Sequence, residues 1–199
     1  MKLLITAFDP FGGSEENASL ELLRALPETL EGAEIVKLVL PTVFRRSGEK
    51  AIQRAEEVRP DAIVCMGQAG GRKAITPERV GLNLMDARIP DNDEFQPVDE
   101  PILPGGPAAY FSTLPIKPMA AAIRAAGVPA EISNTAGTFV CNSLFYRMRH
   151  YTETRCPEVP CGFIHVPLLK DLPLPDALRG LKAALGAITK DLQKRNERA

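Results

Sequence analysis

Nucleophilic chemistry in this chain has few sources: four cysteines, and two histidines to serve as a base. Cys141 is the penultimate residue of the stretch SNTAGTFVCN (133–142), after a Gly-centred turn and just before NSLFYRMRHY, which reads as a helix. A helix N-terminus carries partial positive charge and unpaired N–H groups. Both favour a thiolate, and the same N–H groups can stabilise an oxyanion. A cysteine packing under a helix satisfies the same spacing, so the residues alone leave both readings open. Cys65, in DAIVCMG, reads as a small core hydrophobe. Cys156 and Cys161 lie in CPEVPC with no second cysteine pair, which argues against a zinc site.

A cysteine nucleophile needs a base. His150 lies nine residues beyond Cys141 on the same expected helix. That is about 13 Å along the axis and roughly half a turn round, out of reach of the thiol. His165, in FIHVP, sits near the end of an expected strand. A histidine there is either a satisfied core residue or a base at the sheet edge. Glu78, in ITPERVGLN, follows another strand end and is a candidate to orient it; a solvated carboxylate opening a helix fits equally. The GQAGGR stretch (67–72) matches neither phosphate-loop spacing and reads as a tight turn.

Apolar runs at 2–7, 34–40, 62–66, 130–133 and 162–166 read as strands. Helical spacing marks 18–26, 46–58, 117–126, 142–151 and 176–196. The alternation predicts an α/β fold, with a largely parallel sheet covered by helices on both faces. The run 130–133, the helix after it and 162–166 read as a right-handed crossover whose strands point the same way. That brings Cys141 and His165 to one sheet edge, where ligands of open α/β sheets bind. The Pro-, Gly- and Asp-rich segment 89–113 breaks the rhythm and reads as a substrate lid, a subunit contact or a surface excursion. The 24 basic and 25 acidic residues give a formal charge of −1, with no electrostatic case for nucleic acid or an anionic membrane. No apolar run has membrane-spanning length, and the N-terminal run is too short for a signal peptide. A reducing cytoplasm with free thiols is the expectation.

TAFDPFGG (6–13), GQAGGRKAITPERVGLN (67–83), DARIPDN (86–92), AYFSTLP (109–115), SNTAGTFVCN (133–142) and FIHVPLL (163–169) together resemble pyroglutamyl peptidase type I, or pyrrolidone-carboxylate peptidase. They span nearly the whole chain in the family's order. The resemblance implies one catalytic domain over 1–199, built as an α/β/α sandwich. It implies a cysteine exopeptidase acting on small peptides with N-terminal pyroglutamate through a thioester, with Cys141 as nucleophile, His165 as base and Glu78 orienting it. No metal or organic cofactor, a cytosolic location and a homo-oligomer, dimer or tetramer, are implied as well.

Pyroglutamate is a neutral lactam, so its pocket calls for apolar walls and a few amide-like partners, without a carboxylate for an ammonium. Phe8 and Phe11 are expected as walls, and Asn17 and Gln68 as amide partners. The backbone of Phe139 and Val140 is expected to line the pocket, and Arg88 to hold the loop or the oxyanion. A cysteine amidase or esterase on the same scaffold, a nucleotide-binding α/β protein and a catalytically silent relative are the alternatives.

Overall fold

In the computed structural model, which describes residues 1–197, a six-stranded sheet runs in the order β2-β3-β1-β4-β8-β5. Its centre is β1 (Lys2–Phe8), β3 (Ala33–Leu40), β4 (Ala62–Gln68) and β8 (Cys161–Val166), all parallel. The edges β2 (Thr29–Leu30) and β5 (Thr76–Pro77) run antiparallel to β3 and β8. A separate hairpin pairs β6 (Val80–Leu82) with β7 (Ala109–Phe111).

The central strands are apolar on both faces because both are covered. Leu3, Ile5, Val64, Met66, Ile164 and Val166 enter one core, under α1 (Ala18–Ala25), α3 (Ile116–Ala125) and α5 (Leu174–Asn196). Leu4, Phe8, Ile63, Cys65, Cys161 and Phe163 enter the other, under α2 (Phe44–Val58) and α4 (Val140–Arg155). His165 follows Phe163 at the alternating position and so faces the α4 side. No helix among the described residues is long and apolar enough to cross a membrane.

Two expectations change. Residues 130–133 form only isolated parallel bridges, Ala130 to Ile75 and Ser133 to Glu78. They therefore follow β5 and run opposite to β8, and the expected parallel crossover does not exist. The cause is β5, whose two residues insert between 130–133 and β8. The segment 89–113 is largely irregular and anchored from within. Asp91 is buried, and its carboxylate accepts from the backbone N–H groups of Asp93, Phe95 and Phe44 at 2.9, 3.0 and 2.9 Å. The last of these caps α2, whose own N-cap, Val43, has no capping side chain.

Candidate active site

The short strand β5 carries Glu78 to His165. Thr76 pairs with His165 and Pro77 with Ile164, and the Glu78 N–H donates to the Phe163 carbonyl at 2.8 Å. The fully buried Glu78 carboxylate then accepts from His165 Nδ1 through Oε1 at 2.7 Å. An ionised carboxylate only accepts, so this contact sets the proton on Nδ1 and leaves Nε2 unprotonated. The same Oε1 accepts from Arg72 Nη1 at 2.5 Å. Burial lowers the His165 pKa below its ordinary 6.5; Glu78 works against that shift and Arg72 with it.

Cys141 is the second residue of α4, inside the helix rather than before it. Its thiol lies over Gly67, the residue of β4 in register with His165. A Cβ on Gly67 would fall 2.6 Å from Cys141 Sγ and 2.8 Å from the Phe163 ring, so only glycine leaves the seat open. The expectation of a thiolate held by the helix end is corrected. Burial, and secondly the negative charge of Glu78, push the Cys141 pKa up to about 12, against the opposing pull of Arg72. In the free protein the pair is a neutral thiol and, at neutral pH, a neutral imidazole.

The start of α4 is held by side chains that mimic a strand. Buried Asn142 accepts from Leu82 N at 2.8 Å and donates to the carbonyls of Leu82 and Leu84, each at 2.9 Å. Thr138 donates to the Asp86 carbonyl at 2.7 Å, and Asp86 N donates back to the Thr138 carbonyl at 3.1 Å. Gly137 turns the loop with φ +76°, a conformation that favours glycine. No residue of this loop caps α4 with a side chain. The first N–H groups of the helix are thus without intrahelical acceptors.

A cavity of roughly 790 Å³ opens beside these groups. His165, Arg72, Phe11, Phe139 and Ile89 line it together with the 135–138 loop, and exposed Asp86 and Arg88 stand at its rim. Phe11 and Phe139 meet at 5.9 Å between ring centres, and Phe139 packs edge-on against Phe44 at 5.2 Å. Phe8, expected as a wall, is instead 2% exposed in the core beneath, because its strand position points it under α2. Asn17 is the N-cap of α1: its Oδ1 accepts from Ser19 N at 3.0 Å and its Nδ2 donates to the Asp9 carbonyl at 3.1 Å. Gln68 Oε1 accepts from Ala18 N at 2.7 Å. The Asn17 amide and the Gln68 carbonyl oxygen are thus engaged at the α1 start. Val140 is fully buried and offers only its backbone. His150 meets the Tyr110 hydroxyl at 2.9 Å, away from the thiol as helical spacing requires.

A profile of the pyroglutamyl peptidase family matches residues 1–189. The chain belongs to the pyroglutamyl peptidase family. It is 51% identical to the pyrrolidone-carboxylate peptidase of Levilactobacillus brevis, covering 94% of this chain and 97% of that one. It is 50% identical to the pyrrolidone-carboxylate peptidase of a Streptococcus pyogenes strain, over 99% and 96% of the two chains. Its fold superposes on the crystal structure of pyroglutamyl peptidase I from Bacillus amyloliquefaciens with a TM-score of 0.92 at 45% identity, covering 94% of each chain. For the pyrrolidone carboxyl peptidase from Thermococcus litoralis the TM-score is 0.93 at 32% identity, covering 98% and 96%.

Within this pyroglutamyl peptidase fold, Gly67, Arg72 and Asn142 support the site without standing out in the sequence. The GQAGGR stretch reads as a turn from Gly67 on, yet β4 runs on through Gln68 and the turn begins after it. The GG pair before Arg72 and the position of Asn142 after the cysteine were visible signals. Nothing local tied either side chain to its distant partner.

Proposed function

We propose that the chain is a single-domain cysteine exopeptidase that removes N-terminal pyroglutamate from peptides through a thioester acyl-enzyme, with Cys141 as nucleophile, His165 as base and Glu78 orienting the imidazole. The observation that carries this reading is the pairing of a buried Glu78–His165 contact at 2.7 Å with a thiol seated over Gly67, the strand partner of His165.

The mechanism follows from the protonation states. Because the free thiol is neutral, His165 Nε2 takes its proton as Sγ attacks the carbonyl joining pyroglutamate to the next residue. The carbonyl electrons move to oxygen, and the N–H groups of the first α4 turn face the developing charge. As the C–N bond breaks, imidazolium returns that proton to the departing amine, and the C–S thioester remains. Water then gives a proton to His165, adds to the thioester and releases pyroglutamic acid; the imidazolium reprotonates the thiol. Phe11, Phe139 and Ile89 supply apolar walls for a ring without charge. The near-neutral chain charge supports action without nucleic acid or membrane partners. Four free cysteines support a cytoplasmic location. Val98 and Phe111, 68% and 67% exposed, are the large apolar side chains that a homo-oligomer contact would cover.

The test is hydrolysis of a pyroglutamyl fluorogenic amide, with prolyl and glutamyl amides of the same fluorophore as comparisons. A lactam-reading pocket should prefer the pyroglutamyl amide by roughly 10⁴-fold, the discrimination reached when a hydrogen-bonding site meets an analogue lacking the group. Comparable rates on the prolyl amide would reopen the broader amidase reading.

A further inference from the structure

Arg72 joins two parts of the site. Its Nη1 donates to Glu78 Oε1 at 2.5 Å, on the oxygen that also receives His165. It also donates to the Thr76 hydroxyl, and Nη2 donates to the Thr135 carbonyl at 3.1 Å, on the loop that walls the cavity. The other Glu78 oxygen, Oε2, is buried with no hydrogen-bond partner among the described residues. A buried carboxylate with an unpartnered oxygen is costly unless a cation stands beside it. His165 does not supply that cation at neutral pH, since burial lowers its pKa. The guanidinium is the cation in contact with Glu78, on the same oxygen that fixes His165 Nδ1.

We propose that Arg72 is a positioning residue that holds the Glu78 carboxylate against His165 and locks the pair to the cavity wall through Thr135. This rests on the peptidase reading above. The charged and titratable groups that bear on His165 are Glu78 and Arg72 in direct sequence of contact, the neutral Cys141 thiol across Gly67, and Asp86 and Arg88 at the exposed rim. Loss of the guanidinium removes a positive charge that helps lower the His165 pKa, so His165 takes up its proton at higher pH.

The experiment combines imidazole NMR titration with pH profiles of kcat/KM for wild type, Arg72→Met and Arg72→Lys. With two histidines in the chain, a His150→Gln background assigns the His165 signals. In Arg72→Met the His165 midpoint and the acid limb should rise together. At neutral pH kcat should fall roughly ten- to a hundredfold with little change in KM, as for loss of one charge-assisted hydrogen bond on a buried group. Arg72→Lys should return the midpoint toward wild type but leave kcat reduced, because a point charge lacks the fork that spans Glu78 and Thr135. An unmoved midpoint in Arg72→Met overturns the proposal, as does wild-type kcat in Arg72→Lys. If Arg72→Met does not fold, kcat and midpoint of the lysine variant decide alone. Should the wild type fail to cleave pyroglutamyl amides, the peptidase reading falls while the NMR titration still judges Arg72.

Discussion

The sheet has a cavity at each end, and each has a half-buried cysteine beside it. At the carboxyl ends of β4 and β8, roughly 790 Å³ open next to Cys141 and His165. At the opposite end, roughly 860 Å³ are lined by Pro60, Asp61, Tyr151, Arg155, Cys156 and Arg195. The second cavity is the larger, so size does not single out a reactive site. Burial raises the pKa of both thiols. The difference lies in the partner. Cys141 sits over the strand neighbour of His165, whose Nδ1 is held by Glu78. Beside Cys156 stand Tyr151 and Glu158, and among the described residues lining this cavity there is no histidine. A raised pKa makes a thiol inert unless a base is aligned to take its proton during attack.

The sharpest break in that comparison is exchange of the cysteines. Cys141→Ala should lower kcat by about 10⁴-fold or more, as removal of a nucleophile does elsewhere, while Cys156→Ala stays near wild type. Steady-state kinetics on both variants decide it. Glu78→Gln comes next. The amide is isosteric but favours the wrong tautomer, so a loss approaching roughly 10⁴-fold with an unchanged unfolding midpoint is expected. Gly67→Ala is smaller. The added methyl displaces the thiol and the Phe163 ring, and a misplacement of this size costs about 10²-fold. A crystal structure of that variant should show Sγ moved off its seat.

The smallest effect is on stability. The folded pKa of His165 lies below the unfolded 6.5, so the unfolded chain binds the extra proton first. The stability contributed by neutral His165 is complete above pH 6.5 and is lost as pH falls from there toward the folded pKa. The slope is at most about 1.4 kcal/mol per pH unit for one proton. Denaturant titrations of wild type and His165→Gln across that window should diverge only below pH 6.5, and the same window bounds the acid limb of kcat/KM.

Local pattern made much of this legible. The four central strands and five helices follow from apolar runs and 3.6-residue spacing, and helix geometry alone keeps His150 from the thiol. What failed depended on distant packing. β5 is two residues long and includes a proline, too short for any periodicity, yet it sets the direction of 130–133 and delivers Glu78. The helix end predicted a lowered thiol pKa, but desolvation by the surrounding fold outweighs it. Distant packing also decides where Phe8 and Asn17 lie, one buried under α2 and the other capping α1.

Timed modification with iodoacetamide measures the central claim most directly, with each cysteine followed by peptide mass spectrometry alongside residual activity. The account expects activity to fall in step with modification of Cys141 and independently of Cys65, Cys156 and Cys161. Full activity in protein whose Cys141 is quantitatively alkylated, or loss that tracks Cys156 instead, would contradict it.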